Sequence, residues 1–380
     1  MSAGVSPRKP RIVIAGFGDS GLLTAIKLGR HADIVGISAK PALLSGQELG
    51  VRLARPKDWA RDNWVSFDKY RALDGVRTVQ ATLTGLDLAN RTVLGTAPDG
   101  SPVAETYDVL VVSTGVRNGF WRQPHLQTPE EIAADLTATH DRLGAAGSVI
   151  IIGGGAAAVS AAANIATAWP GKKVDLYFPA DRALTEHHPR VWEKLQGKLI
   201  GLGVVLHPGH RAVLPDGFDG DAITDAPVQW STGQPAAQAD AVLWAIGRVT
   251  PNTEWLPPEL LDEQGFVKVT PELQLCGHHH MFAIGDVAAT DPLRASARAR
   301  ADSLLAHNIR ATLEGGPLKK YRAPRRRWGS IVGIQADGLE VFAPNGSAYR
   351  FPAWSIDRLL MPWIVRRGIY KGVRKNQPLS

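Results

Sequence analysis

Arg11-Ile-Val-Ile-Ala-Gly-Phe-Gly-Asp-Ser-Gly21 is the stretch on which the fold turns. Ile12–Ala15 is an apolar, mostly β-branched run, the pattern of a strand buried on both faces. Three glycines follow at Gly16, Gly18 and Gly21, and then the helix-favouring Leu22-Leu-Thr-Ala-Ile-Lys-Leu28. Asp33–Ile37 reads as a second short strand. In such a strand, turn and helix, Gly16 permits the tight turn and Gly18 lets the backbone approach a pyrophosphate. Gly21 allows the helix to pack closely on the strand, and Ser20 sits in the same turn. The helix N-terminus offers unpaired N–H groups and a partial positive charge to phosphate oxygens.

The pattern returns at Ser148. Val149–Ile152 is a second apolar strand, followed by Gly153-Gly154-Gly155-Ala156-Ala157-Ala158 and an alanine-rich helix. Ala158 stands where the third glycine would be, and alanine is tolerated there. Lys173–Phe178 is the next strand. The spacing from Gly16 to Gly153 is 137 residues, too long for a stacked repeat and right for a duplicated nucleotide-binding domain. Asp240–Gly247 and Met281–Asp286 are further strands closed by glycine, Thr78–Leu94 alternates as hairpins do, and Ala295–Leu313 predicts a long helix. Residues 40–75 read as helix and loops.

Both repeats lack the acid that usually ends the second strand and binds a ribose. In the first, that place holds Ser38, with Lys40 nearby. Ser38 either bonds a ribose hydroxyl or serves only its turn. In the second, Phe178 stands there and Arg182 follows. The missing acid removes a repulsion to a ribose phosphate, and Arg182 either pairs with one or is a solvated charge. This leans to NADPH over NADH.

Composition bounds the rest. With 44% hydrophobic and 21% charged residues over 380 positions, this is a folded chain long enough for two or three domains. The single cysteine, Cys276, cannot form an internal disulfide and reads as a small apolar filler. His278, His279 and His280 are consecutive and cannot share one strand face, so no metal site is expected. They sit just before the strand that begins at Met281. The opening MSAGVSPRKPR has no secretory apolar core, and no run reaches membrane-span length. The expectation is a cytoplasmic chain, either soluble or peripheral on the inner face of a membrane, as monomer or homodimer.

Net charge is +7, but residues 316–380 hold 13 Lys/Arg against 3 acids. That end is +10 and the other 315 residues are about −3, by subtraction. Within it, Leu359, Leu360, Trp363 and Ile364 fall at helical spacing, flanked by Arg358, Arg366, Arg367, Lys371, Arg374 and Lys375. Such a stretch either lies on an anionic bilayer or packs on the body with a solvated basic face. Pro362 and Gly368 argue against one long helix. Arg325-Arg326-Arg327-Trp328 suits nucleic acid in charge alone, and nucleic acid is not expected as a partner.

Three further motifs carry a resemblance. They are Ser113-Thr114-Gly115 after Tyr107–Val112, Ala245-Ile246-Gly247-Arg248 before Pro251-Asn252, and Phe282-Ala283-Ile284-Gly285-Asp286. With the fingerprints, in this order, the chain resembles the two-dinucleotide-binding-domain flavoproteins of the pyridine nucleotide-disulfide oxidoreductase superfamily over about residues 10–310. Lacking a CxxC pair and a disulfide-reductase-sized C-terminal domain, it looks most like the apoptosis-inducing-factor, type II NADH dehydrogenase and ferroptosis-suppressing quinone reductase branch.

The resemblance implies an α/β fold of two nested Rossmann-like domains plus a small C-terminal α+β module. It implies FAD on Gly16, Gly18, Ser20, Gly21, Ser38, Lys40, Thr114, Gly115, Gly285 and Asp286, within residues 8–120 and 246–315. NADH or NADPH would lie on Gly153, Gly155, Ala156, Ala158 and Arg182, within residues 121–245, with Gly247 a further cofactor-binding residue just beyond, leaving 316–380 as the basic module. The implied chemistry is ping-pong hydride transfer from NAD(P)H to flavin and then to an acceptor, with a quinone favoured. No catalytic side chain is expected; where the dehydrogenase branch often carries a glutamate, this chain has Ser160. Two alternatives stay open: a reductase of a ferredoxin or rubredoxin, and a nucleotide-sensing interaction protein.

Overall fold

The computed structural model describes residues 8–294 and 301–374. Two parallel sheets carry the two glycine fingerprints. In the first, Arg11–Ala15 lies between Asp33–Ser38 and Val109–Val112 and runs parallel to both. Ile12 stands opposite Ile34 on one side and Val109 on the other. Ile12, Val13 and Ile14 are fully buried, which is why this strand shows no alternation. Val76–Gln80 extends one side of the sheet and His278–Ala283 the other, both in parallel. This order brings strands from remote stretches beside Arg11–Ala15. Their carboxyl ends therefore gather Gly16, Ser113 and Gly285 at one edge.

The second sheet repeats the plan. Ser148–Ile152 lies between Lys173–Tyr177 and Ala241–Trp244, with Val205–His207 outermost and all four parallel. Val116–Arg117 pairs antiparallel with Thr250–Pro251, so the two passages between the sheets are tied together. The sheets are also joined through helices. Leu49–Ala54 lies across Ala156–Ala168, and a Cβ on Gly50 would stand 2.1 Å from the Ser160 carbonyl oxygen. Leu49 and Leu53 are thereby buried in the core of the second sheet.

The basic end straps both halves. Ile334–Gln335, Gly338–Phe342 and Ala348–Pro352 form a three-stranded antiparallel sheet. Ile331, Val332 and Phe342 fill the core around Ala156–Ala168, and Asn164 donates to the Val332 carbonyl at 3.0 Å. The chain then returns to the first half, where Arg374 pairs with Asp74 at 2.8 Å and Tyr370 meets Tyr70 edge to face.

Several expectations are corrected. Cys276 is exposed, because it sits at the turn of the edge pair Gln274–Leu275 and His278–Ala283, next to Gly277 at φ +81°. His278, His279 and His280 are the start of that strand rather than residues that precede it. Val76–Gln80 is a parallel strand of the main sheet; the antiparallel meander is Thr82–Asp87, Thr92–Thr96 and Pro102–Thr106. Residues 40–75 include a strand pair, Ala42–Leu44 with Trp64–Ser66, besides their helices.

Ile356–Ile369 is one continuous winding through Pro362 and Gly368. It is wider than an α-helix, and closes with the Tyr370 N–H donating to the Val365 carbonyl five residues back at 3.1 Å. Proline has no N–H to donate in either ladder, so the winding passes Pro362 with one bond missing rather than breaking there. The predicted helix from Ala295 is seen as Ala301–Glu314; positions 295–300 and Lys375 lie outside the described residues. Pro129–Ala145 is an unanticipated helix, opened by a capping box in which Glu131 N–H donates to Thr128 Oγ1 at 3.2 Å.

Candidate functional site: one cavity between two glycine turns

The carboxyl ends of both sheets open on a single cavity of about 1890 Å³. Gly16, Gly18 and Ser20 line it from the first fingerprint, and Gly155 and Ala156 from the second. The helices that begin there, Asp19–Leu28 and Ala156–Ala168, have glycine N-caps, Gly18 and Gly155, which bring no capping side chain. The first turns of both helices therefore begin at the cavity, and a helix N-terminus is where N–H donors and a partial positive charge are offered to a phosphate.

The glycines divide into two kinds, and this tests whether a dinucleotide fits. A Cβ at Gly16 would stand 2.4 Å from the Ser113 carbonyl, at Gly21 2.2 Å from the Gly16 oxygen, and at Gly153 2.0 Å from the Ala245 oxygen. Those three hold the turns together. Gly21, Gly153 and Ala158 do not line the cavity, and Ala158 is fully buried. At Gly18 and Gly155 a Cβ would meet nothing within 4 Å, and both have backbone angles open to any residue. The protein does not itself require glycine at these two places. Close approach of a ligand backbone does, and the residues present fit that role.

Around the first turn, Ser113 donates to the Gly16 carbonyl at 2.6 Å, and Thr114 donates to the Asn252 carbonyl at 2.7 Å. Thr114, Gly115 and Gly247 thus line the cavity where the two crossing strands meet. Gly285, at φ +82°, faces Ser20, and Asp286 follows on the rim. Asp286 is half-buried and accepts a bond from Arg122 at 2.9 Å. Arg122 comes from the linker 118–128, and nothing in its local sequence marks it. It passes beside Gly46, whose Cβ would lie 2.8 Å from the guanidinium.

Ser38 and Lys40 also line the cavity. The Ser38 hydroxyl accepts the Lys40 N–H at 3.1 Å, which is the turn role. Lys40 Nζ donates to the His125 carbonyl at 2.7 Å and also bonds Gln127. Burial pushes the Lys40 ammonium down to about 8; Asp135 opposes that shift and Arg52 adds to it. On the other side, Arg182 lines the cavity and donates to the Leu184 and Thr185 carbonyls at 3.0 and 3.2 Å. Ser160 is buried beneath Gly50 and reaches the cavity wall. Arg327, Ser330 and Ile331 of the basic end form part of the same wall. Only the packing of that end against the second sheet brings them there.

Among curated proteins, Fe-regulated protein 8 of Mycosarcoma maydis is 34% identical over 156 residues, 40% of this chain and 37% of that protein. Ferroptosis suppressor protein 1 of Xenopus tropicalis is 23% identical over 327 residues, 82% of this chain and 83% of its own length. The chain covers between about a third and two thirds of the first three curated relatives. Among solved structures, a ferredoxin reductase from Rhodopseudomonas palustris superposes with a TM-score of 0.63 at 21% identity, covering 90% of this chain and 88% of that one. The sequence model for pyridine nucleotide-disulphide oxidoreductases matches residues 10–308, and the chain belongs to that family, whose cofactors are FAD and NAD(P)H.

Proposed function

We propose that this chain oxidises NAD(P)H through FAD and delivers the electrons to a quinone at a membrane surface. In this reading residues 8–120 and 246–315 hold FAD, on the turn of Gly16, Gly18, Ser20 and Gly21 with Gly285 and Asp286 opposite. Ser38, Lys40, Thr114 and Gly115 complete that wall. Residues 121–245 hold NAD(P)H, on the turn that Gly153 and Ala158 shape, with Gly155, Ala156 and Arg182 facing the cavity and Gly247 lining it from just beyond that span. Residues 316–380 are the module that meets the acceptor. Bound FAD supplies the hydride acceptance and electron release that no side chain here can perform. The protein's part is to hold both nucleotides in one cavity and to orient them. Arg122 balances Asp286, which would otherwise face the cofactor phosphates as an uncompensated like charge.

The quinone reading is carried by one surface. Trp354, Leu359, Trp363 and Ile364 are each about half exposed or more, on the last helical segment. Arg358, Arg366 and Arg367 are exposed beside them. Apolar side chains fringed by arginine suit the headgroup layer of an anionic bilayer. No helix of the described residues is long and apolar enough to cross one. The overall reaction consumes one NAD(P)H, one proton and one quinone, and yields NAD(P)⁺ and quinol.

The test is anaerobic titration of the FAD-loaded protein with NADH and NADPH, then turnover with a water-soluble quinone and with a long-chain quinone in anionic liposomes. Bleaching of the flavin establishes donor oxidation. Co-sedimentation with liposomes and a rate that rises with them support the quinone reading. Indifference to lipid with fast transfer to a ferredoxin would replace it with the carrier-protein reading, in which the same basic end steers an acidic partner. Negligible turnover with every acceptor would leave a nucleotide sensor.

A further inference from the structure

We propose that the basic C-terminal module completes the hydride-donor site, and that Arg327 with Arg182 receives the ribose 2′-phosphate that distinguishes NADPH from NADH. The inference rests on reading the second glycine turn as the NAD(P)H cradle. It adds a residue from a different module, Arg327, that the fingerprint does not include.

The strand Lys173–Tyr177 ends at Phe178, so no carboxylate stands where a ribose diol would be bound. Phe178 is buried, and the chain beyond it opens toward the cavity at Ala180 and Arg182. Arg182 is anchored there by its bonds to the carbonyls of Leu184 and Thr185. The backbone N–H of Arg327 donates to the next carbonyl, that of Glu186, at 3.0 Å. Three successive carbonyls are thus engaged, by one guanidinium and by the backbone that carries the other. Consecutive residues advance at most about 3.6 Å along a chain. Both arginines line the same cavity.

The Arg327 loop is held from behind. Gly329 pairs with Phe342 through two backbone bonds of 3.0 Å, and Ile331 and Val332 are buried in the core of the second sheet. Arg325 and Arg326 are exposed, whereas Arg327 is half-buried against the cavity wall. A phosphate monoester takes charge-assisted bonds from paired guanidinia more strongly than a neutral diol does. Glu186 and Asp221 also line the cavity, so the site is not uniformly positive. Glu186 belongs to the segment that Arg327 is tied to, and its carboxylate would repel a phosphate bound there.

The experiment uses the full-length FAD-loaded protein and calorimetric titration with 2′,5′-ADP, 5′-AMP, NADP⁺ and NAD⁺, so that binding is read without turnover. Wild type is expected to bind 2′,5′-ADP at least about tenfold more tightly than 5′-AMP. R182A and R327A should each reduce that ratio severalfold, R327K should restore part of it, and E186Q should raise it. Melting curves for each variant exclude loss of fold. Equal binding of the two fragments by wild type overturns the proposal, as does an unchanged ratio in a folded R327A. Failure of all four ligands to bind wild type sinks the cradle reading itself, and the proposal with it. Binding of NADP⁺ and NAD⁺ with no role for Arg327 sinks the proposal alone.

Discussion

Gly18 and Gly155 face open space, and that makes them the cleanest residues at which to separate folding from binding. G18V should fold as wild type does, yet lose FAD affinity by at least about tenfold, ~1.4 kcal/mol, because the added carbons occupy the path of the ligand backbone. G155V should do the same to NAD(P)⁺ and leave bound flavin in place. Flavin content and calorimetry on the two variants check this, and a cross-effect between them would contradict the separation. Lys40 yields a pH prediction. Its ammonium is held down at about 8 by burial, against 10.5 for the free side chain. Below pH 8 it is charged in both folded and unfolded chains, and its burial is a full penalty. Between pH 8 and 10.5 the unfolded chain binds more protons, so Lys40's contribution to stability rises with pH there. Urea denaturation of K40M and wild type should therefore differ most at neutral pH and converge toward pH 10. A difference that stays constant with pH would rule this out. At this scale the sequence was clear about the glycines, because their roles are local backbone geometry. It was mute about Arg122, whose partner Asp286 is 164 residues away.

The contact between Leu49–Ala54 and Ala156–Ala168 is the element that spaces the two glycine turns. Gly50 lets these helices touch, and alanine there would bring a carbon to 2.1 Å from a backbone oxygen. G50A should cost about 1–3 kcal/mol, since the helices must part to admit it. It should also slow bleaching of the flavin by NAD(P)H more than it weakens either nucleotide, because it shifts one cradle against the other. Stopped-flow bleaching beside calorimetric affinities would check this; equal losses in both would mean simple destabilisation. Ala156–Ala168 was legible from its own residues, whereas Leu49–Ala54 lay within a stretch that read only as helix and loops. Their contact was not legible, since a glycine in a six-residue helix carries no sign of what it will meet. The same holds for Ile356–Ile369, where proline and glycine predicted a break and the chain winds through both.

For the whole molecule, the basic end is both surface and core. Phe342 is 1% exposed and packs with Ile331 and Val332 into the second half, while Tyr370 and Val373 pack on the first. F342A should destabilise the protein by about 3–5 kcal/mol. By loosening the Arg327 loop it should also weaken NADP⁺ more than NAD⁺. Urea midpoints and paired calorimetry would check both parts; destabilisation with equal losses for the two nucleotides would detach the module from the donor site. The strap also pairs with both halves, with Asp62 and Asp74 of the first and, through Glu340, with Lys194 of the second. Its outer face remains apolar and basic, the surface assigned above to the bilayer.

By itself the sequence determined the two strand–glycine–helix units, their duplication and hence the α/β class. These follow from short-range rules: buried strands must be continuously apolar, and tight turns beside phosphates need residues without a Cβ. Tertiary structure alone decided which arginines reach the cavity and which helices touch. Those outcomes depend on strand order and on distant segments packing together. Burial and charge pairing act through space, and no window along the chain contains both partners.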